Sequence, residues 1–130
     1  MKKAIEVILC IFGVAIALIA LFWFSIVYVT DYKKTTCDKS ISSDKKFELT
    51  LQAIGEPDWP FGSASGRLLL EEGENKVSQT DFELRNDGGI ISSRCWKVTW
   101  YEDYVEVVLS GEEQEDESIY LYFDGRREYQ

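Results

Sequence analysis

The sequence contains no histidine. This removes the commonest general base, the serine and cysteine triads, and most zinc sites in a single stroke. The two prolines, Pro57 and Pro60, fall in one short stretch, so every other part of the chain is free to run in uninterrupted elements. No glycine-rich phosphate loop precedes a helix, no EF-hand spacing occurs, and no internal repeat is visible. Basic residues are also scarce. There are 14 Lys+Arg against 23 Asp+Glu, a formal charge of −9. Setting aside Lys2, Lys3 and Glu6 leaves 12 basic and 22 acidic residues, or −10 for the rest of the chain. Nucleic acids and anionic headgroups are held through Lys/Arg clusters, so such a domain is expected to bind neither. A cation, a basic protein or a cell-envelope component fits the charge better.

What the sequence does have is one long apolar run, Val7 to Val29, with no charge, no proline, and only Ser25 and Tyr28 as clearly polar groups. As a helix it covers about 34 Å, enough for a hydrocarbon core of roughly 30 Å. A cleaved signal peptide has a shorter apolar core followed by small residues, whereas Phe22-Trp23-Phe24 fill that place here. Cys10 follows Leu9 too early in the run for a lipoprotein signal. The run is apolar all round, which argues against a core helix of a soluble protein. The expected organisation is a cytoplasmic N-terminus at 1–6, a transmembrane signal-anchor at 7–29, a polar stalk at 30–45, an acidic β-domain at 46–126 and a tail at 127–130. Lys2 and Lys3 are nearly balanced by Lys33, Lys34 and Lys39 beyond the run. The short N-terminus and the two downstream cysteines favour the domain lying outside the cytoplasm.

Beyond the anchor the hydrophobic period is two. Phe47, Leu49, Leu51 and Ala53 alternate with polar residues, as do Phe82 and Leu84, then Trp96, Val98 and Trp100, then Val105, Val107 and Leu109, then Ile119, Leu121 and Phe123. Turn-forming clusters separate them at 42–46, 55–62, 72–76, 86–89, 102–103 and 111–117. Asp38–Ile41 is expected as a brief strand. The pattern predicts an all-β domain, a small antiparallel β-sandwich or open barrel of six or seven strands. Trp59, Trp96, Trp100, Phe47, Phe82 and Phe123 are expected to give it an aromatic core.

Gly55-Glu56-Pro57-Asp58-Trp59-Pro60-Phe61-Gly62, Trp96-Lys97-Val98-Thr99-Trp100, Val105 to Gln114 and Tyr122-Phe123-Asp124-Gly125 together resemble a family of small uncharacterised, membrane-anchored or secreted β-domain proteins of Gram-positive bacteria. The resemblance covers about residues 42–126. It implies a fold and a location and carries over no activity.

Strand parity places the loops at 55–65, 86–94 and 111–117 at one end of the domain, the end next to the membrane. That end carries Glu56, Asp58, Asp87, Glu112, Glu113, Glu115, Asp116 and Glu117. Clustered loop carboxylates are how β-sandwich modules bind Ca²⁺, which makes Asp58, Asp87, Glu112, Glu113 and Asp116 the candidate ligands. Trp59, Phe61 and Glu56 are candidate binding contacts, the two rings touching lipid headgroups once the charge is neutralised. Solvated acidic loops are the simpler reading of the same residues. Cys37 and Cys95 are expected to pair as a disulfide if the domain is exported. Trp59, Trp96 and Trp100 are expected in the core ahead of a sugar-stacking platform, and no two carboxylates stand out as a glycosidase pair. The expected role is a non-catalytic binding module, with a Ca²⁺-responsive membrane-docking domain as the alternative.

Overall fold

The computed structural model describes residues 1–57 and 62–130. Helix α1 spans Lys2–Val27 and continues through a single wide turn, Tyr28–Tyr32. No side chain of α1 is buried, and Leu9, Phe22, Trp23 and Phe24 stand fully out from it. Ser25 Oγ donates back to the Leu21 carbonyl at 2.9 Å, so it needs no partner outside the helix. By length and composition α1 is able to cross a membrane, a test that a signal sequence near an N-terminus also passes.

The rest is β-structure. Strands β1 (Lys34–Ile41), β2 (Phe47–Ile54), β3 (Ala64–Glu72) and β4 (Asn75–Leu84) form one antiparallel sheet in the order β1-β2-β3-β4. Strands β5 (Trp96–Trp100), β6 (Tyr104–Leu109), β7 (Glu117–Tyr122) and β8 (Arg127–Tyr129) form a second in the order β5-β6-β7-β8. Each neighbour in a sheet is also the neighbour in sequence, so short loops suffice throughout. The inward residues of both sheets merge into one core of Phe47, Leu49, Leu51, Leu68, Leu70, Leu84, Val105, Val107, Leu109, Ile119 and Leu121. These are the alternating positions, as a half-buried strand requires.

Three features differ from expectation, each for a physical reason. There are eight strands among the described residues, because the tail holds β8, and β1 begins at Lys34, earlier than the brief strand expected at Asp38–Ile41. Both are edge strands whose outer residues are polar, so backbone pairing sets them and hydrophobic alternation does not. Second, the centre of the core is aliphatic. Phe47 joins it, stacked on Phe123 with ring centroids 4.0 Å apart, but Phe82, Trp96, Trp100 and Phe123 line its margin. Trp59 lies outside the described residues. Third, the tryptophans sit at the margin because each indole N–H needs an acceptor. Trp96 Nε1 donates to Asp38 Oδ2 and Trp100 Nε1 to Ser40 Oγ, both at 2.9 Å, fastening β5 of one sheet to β1 of the other.

Candidate functional site

The wide turn at the end of the apolar helix leaves carbonyls without helical partners. One is taken up by the loop after β2: Glu56 N–H donates to the Thr30 carbonyl at 2.6 Å, while beside it Gly55 N–H donates at 2.7 Å to the carbonyl of Lys33, the extended residue that follows the turn. The end of the helix is thus joined to the domain through Thr30 besides the chain itself. Beside the joint lies an open depression of about 450 Å³, lined by Asp31, Tyr32, Arg67, Asp81 and Phe82 among others. Arg67 grips Asp81 across β3 and β4 with two bonds, 2.6 Å and 3.1 Å. The guanidinium holds the Asp81 carboxyl below its ordinary value, and the carboxylate raises that of Arg67 in turn.

The remaining loops of this end are tied to one another by backbone bonds. Gly88 N–H reaches the Gly62 carbonyl at 3.1 Å, and Glu113 N–H the Arg85 carbonyl at 3.1 Å. Glu112 N–H donates to Asn86 Oδ1, and Arg85 N–H to Gln114 Oε1 at 2.7 Å. The loops following β2, β4 and β6 therefore meet at one end of the domain, the end that receives the helix, as counting strand reversals requires. On it Glu56, Asp87, Glu112, Glu113, Glu115, Asp116 and Glu117 all expose their side chains. Asp58, Trp59 and Phe61 lie outside the described residues. Among the described residues no three acidic or cysteine side chains converge as metal ligands do, so Asp87, Glu112, Glu113 and Asp116 share an end without sharing a point.

Both extracellular-candidate cysteines belong to the core. Cys95 is buried and closes the short 3₁₀ turn Ser93–Cys95, while Cys37 is half-buried in β1. Both are thiols here. Burial pushes the Cys37 thiol up, against a bond from Ala53 N–H and with the help of Cys95 and Asp38.

Two features carried no warning in the sequence. The Glu56–Thr30 joint depends on two backbone groups, which no side-chain pattern announces. Tyr101, Tyr104, Tyr120 and Tyr122 gather on the outer face of the second sheet, with Tyr101 stacked on Tyr104 at 4.7 Å and Arg126 over Tyr122 at 4.6 Å. The alternation of Tyr120 and Tyr122 against Ile119 and Leu121 predicted their direction, though not their meeting with Tyr104.

No family model matches the chain, and neither a curated protein nor a solved structure matches it.

Proposed function

We propose that this protein is a single-pass, membrane-anchored, non-catalytic binding module that carries an acidic β-sandwich outside the cytoplasm. Its partner is a basic protein or envelope component lying close to the bilayer. The observation that carries this reading is the joint of the apolar helix to the loop after β2, at the same end as Glu112, Glu113 and Asp116. An anchor fixed there holds the carboxylates within reach of the membrane surface, where they attract cationic segments and repel anionic ones. The absence of histidine and of any nucleophile–base pattern in the sequence supports a binding role over a catalytic one.

The test is capture from membrane extracts by the full chain, the same chain with Glu112, Glu113 and Glu115 changed to Lys, and a control with Glu72 and Glu74 changed at the opposite end. The reading expects a specific partner whose capture falls at least about tenfold with the first variant and not with the second. It also expects loss of that capture as salt rises from about 0.05 M to 0.5 M, where the Debye length shrinks to a few ångströms. Equal capture by all three chains contradicts the assignment of the acidic end.

A further inference from the structure

We propose that Cys37 and Cys95 are the two halves of an inter-sheet disulfide that locks β1, the strand leaving the anchor, to β5. The proposal rests on the placement of the domain outside the cytoplasm, since only an oxidising compartment keeps such a bond.

The geometry is set by the tryptophan bonds. Asp38 meets Trp96 and Ser40 meets Trp100, so β1 and β5 run in the same direction past one another at the edge of the two sheets. One residue before the Asp38–Trp96 contact on each side stand Cys37, in β1, and Cys95, the last residue of the 3₁₀ turn that leads into β5. In a regular strand Cys37 would face away from its neighbour Asp38. The register of β1 on β2, however, slips between Thr36 and Asp38, leaving Cys37 as the extra residue of a bulge. The bulge lets consecutive residues turn to one side. Asp38 accordingly reaches Trp96 while Cys37 packs on the shared core that contains Cys95. Cys95 lies near enough to add to the upward shift that burial gives the Cys37 thiol.

As thiols they hold only weak bonds: Cys37 Sγ to the Thr35 carbonyl at 3.6 Å, and Cys95 Sγ to the Ile90 carbonyl and with Ser92 Oγ, each at 3.9 Å, and from Asn86 Nδ2 at 4.0 Å. Oxidation gives up little. Cys95 also lines an open depression of about 390 Å³ with Asn86, Ser92, Arg94 and Gly111, which offers an oxidant a way in. The reagent is a disulfide, either a small-molecule one or that of a thiol oxidoreductase. Cys95 attacks one of its sulfurs and expels the other as a thiolate. Cys37 then loses its proton and attacks Cys95 Sγ, expelling the second thiol. Two protons and two electrons leave the protein, and the oxidant's disulfide becomes two thiols. The bond closes a loop spanning 58 positions, the separation of Asp38 and Trp96.

The experiment reduces the purified full chain in detergent, removes the reductant, and counts thiols before and after equilibration with oxidised glutathione, by maleimide labelling of the denatured protein and intact mass. The proposal expects three labels before and one after, the last on Cys10, with the product monomeric and free of glutathione. It further expects the melting temperature to rise by about 10–20 °C on oxidation. Cys10→Ser should lose the remaining label and keep the rise, whereas Cys37→Ser and Cys95→Ser should each lose the rise. Three labels after oxidation, or a bond found only between chains or to glutathione, overturns the pairing. Alkylation trapping in intact cells addresses the location separately. One free thiol there supports bond and location together. Three free thiols alongside pairing in vitro leaves the geometry standing and overturns the bond as a native feature, together with the outside placement.

Discussion

Gly55 lies directly beneath the Thr30 carbonyl, so that a β-carbon at residue 55 would overlap the carbonyl oxygen and Asp31 Cα. Its φ of +67° adds a second reason for glycine. The contact that joins the helix to the domain is therefore made possible by a missing side chain. Gly73, in the β3–β4 turn, has a similar φ of +60° but nothing within 4 Å of where its β-carbon would stand. The pair separates backbone strain from overlap. Gly73→Ala is expected to cost about 1 kcal/mol, and Gly55→Ala at least twice that because the joint must open. Urea unfolding of both variants in detergent measures the difference, and equal costs would show that the joint is loose.

The indole bonds of β5 differ in their acceptors. Trp96 donates to a carboxylate and Trp100 to a hydroxyl, at the same 2.9 Å. Charged acceptors make the stronger bond. A double-mutant cycle of Asp38→Ala with Trp96→Phe is expected to give a coupling of about 1–2 kcal/mol, and Ser40→Ala with Trp100→Phe about half as much. Coupling near zero in the first cycle would mean that the sheets are held by apolar packing alone.

Thr80 is 1% exposed, faces the core from β4, and its hydroxyl finds no partner among the described residues. Ser78, two residues earlier on the same face, is in the same condition. A buried hydroxyl without a partner is a cost that a methyl group of similar size removes. Thr80→Val is expected to stabilise the domain by about 1 kcal/mol, read as a rise in the midpoint of urea unfolding. A fall of that size would show that the hydroxyl is bonded.

Acid sensitivity follows from Asp81. Its folded value lies below the ordinary 3.8 because of Arg67. A carboxyl lowered by folding stabilises above its unfolded value, and the gain disappears as pH falls through the lower, folded value. Asp44, held down by the Ser42 hydroxyl and the Lys46 N–H, and Asp124, held down by the Arg126 N–H and guanidinium, act in the same direction. Stability is therefore expected to stay level from neutral pH down to about pH 5 and to decline below 4. Asp81→Asn should flatten that decline, by a modest amount because the Asp81 side chain is open to solvent. A decline that begins near pH 6, or one unchanged by the substitution, would point to other groups.

The alternation of Phe47, Leu49 and Leu51, of Trp96 and Val98, and of Val105, Val107 and Leu109 announced the strands that face the core. Reversal counting then brought Glu112 and Asp87 to one end without any coordinates. The edges were harder to see. Lys34-Thr35-Thr36 and Arg127-Glu128-Tyr129 carry no apolar alternation, because an edge strand is held through N–H and C=O groups that every residue has. The aliphatic centre was obscured by the aromatic count, since large rings with polar handles look like core in composition and settle at its rim. Asp87, Glu112, Glu113 and Asp116 show the same limit: parity gives the end of a domain, and convergence on a point is a matter of loop geometry that composition does not encode.

In the proposed arrangement the apolar helix remains in the bilayer and holds the β-domain on the outer side. Protease added to intact cells expressing the full chain, followed by carbonate extraction and intact-mass analysis, tests both parts at once. The expected result is an untreated species beginning at Met1, with or without its formyl group, that stays with the membrane, and a protease-treated one that keeps the helix and loses β1 to β8. A domain protected until the cells are opened, or a soluble product that lacks the first thirty residues, contradicts it.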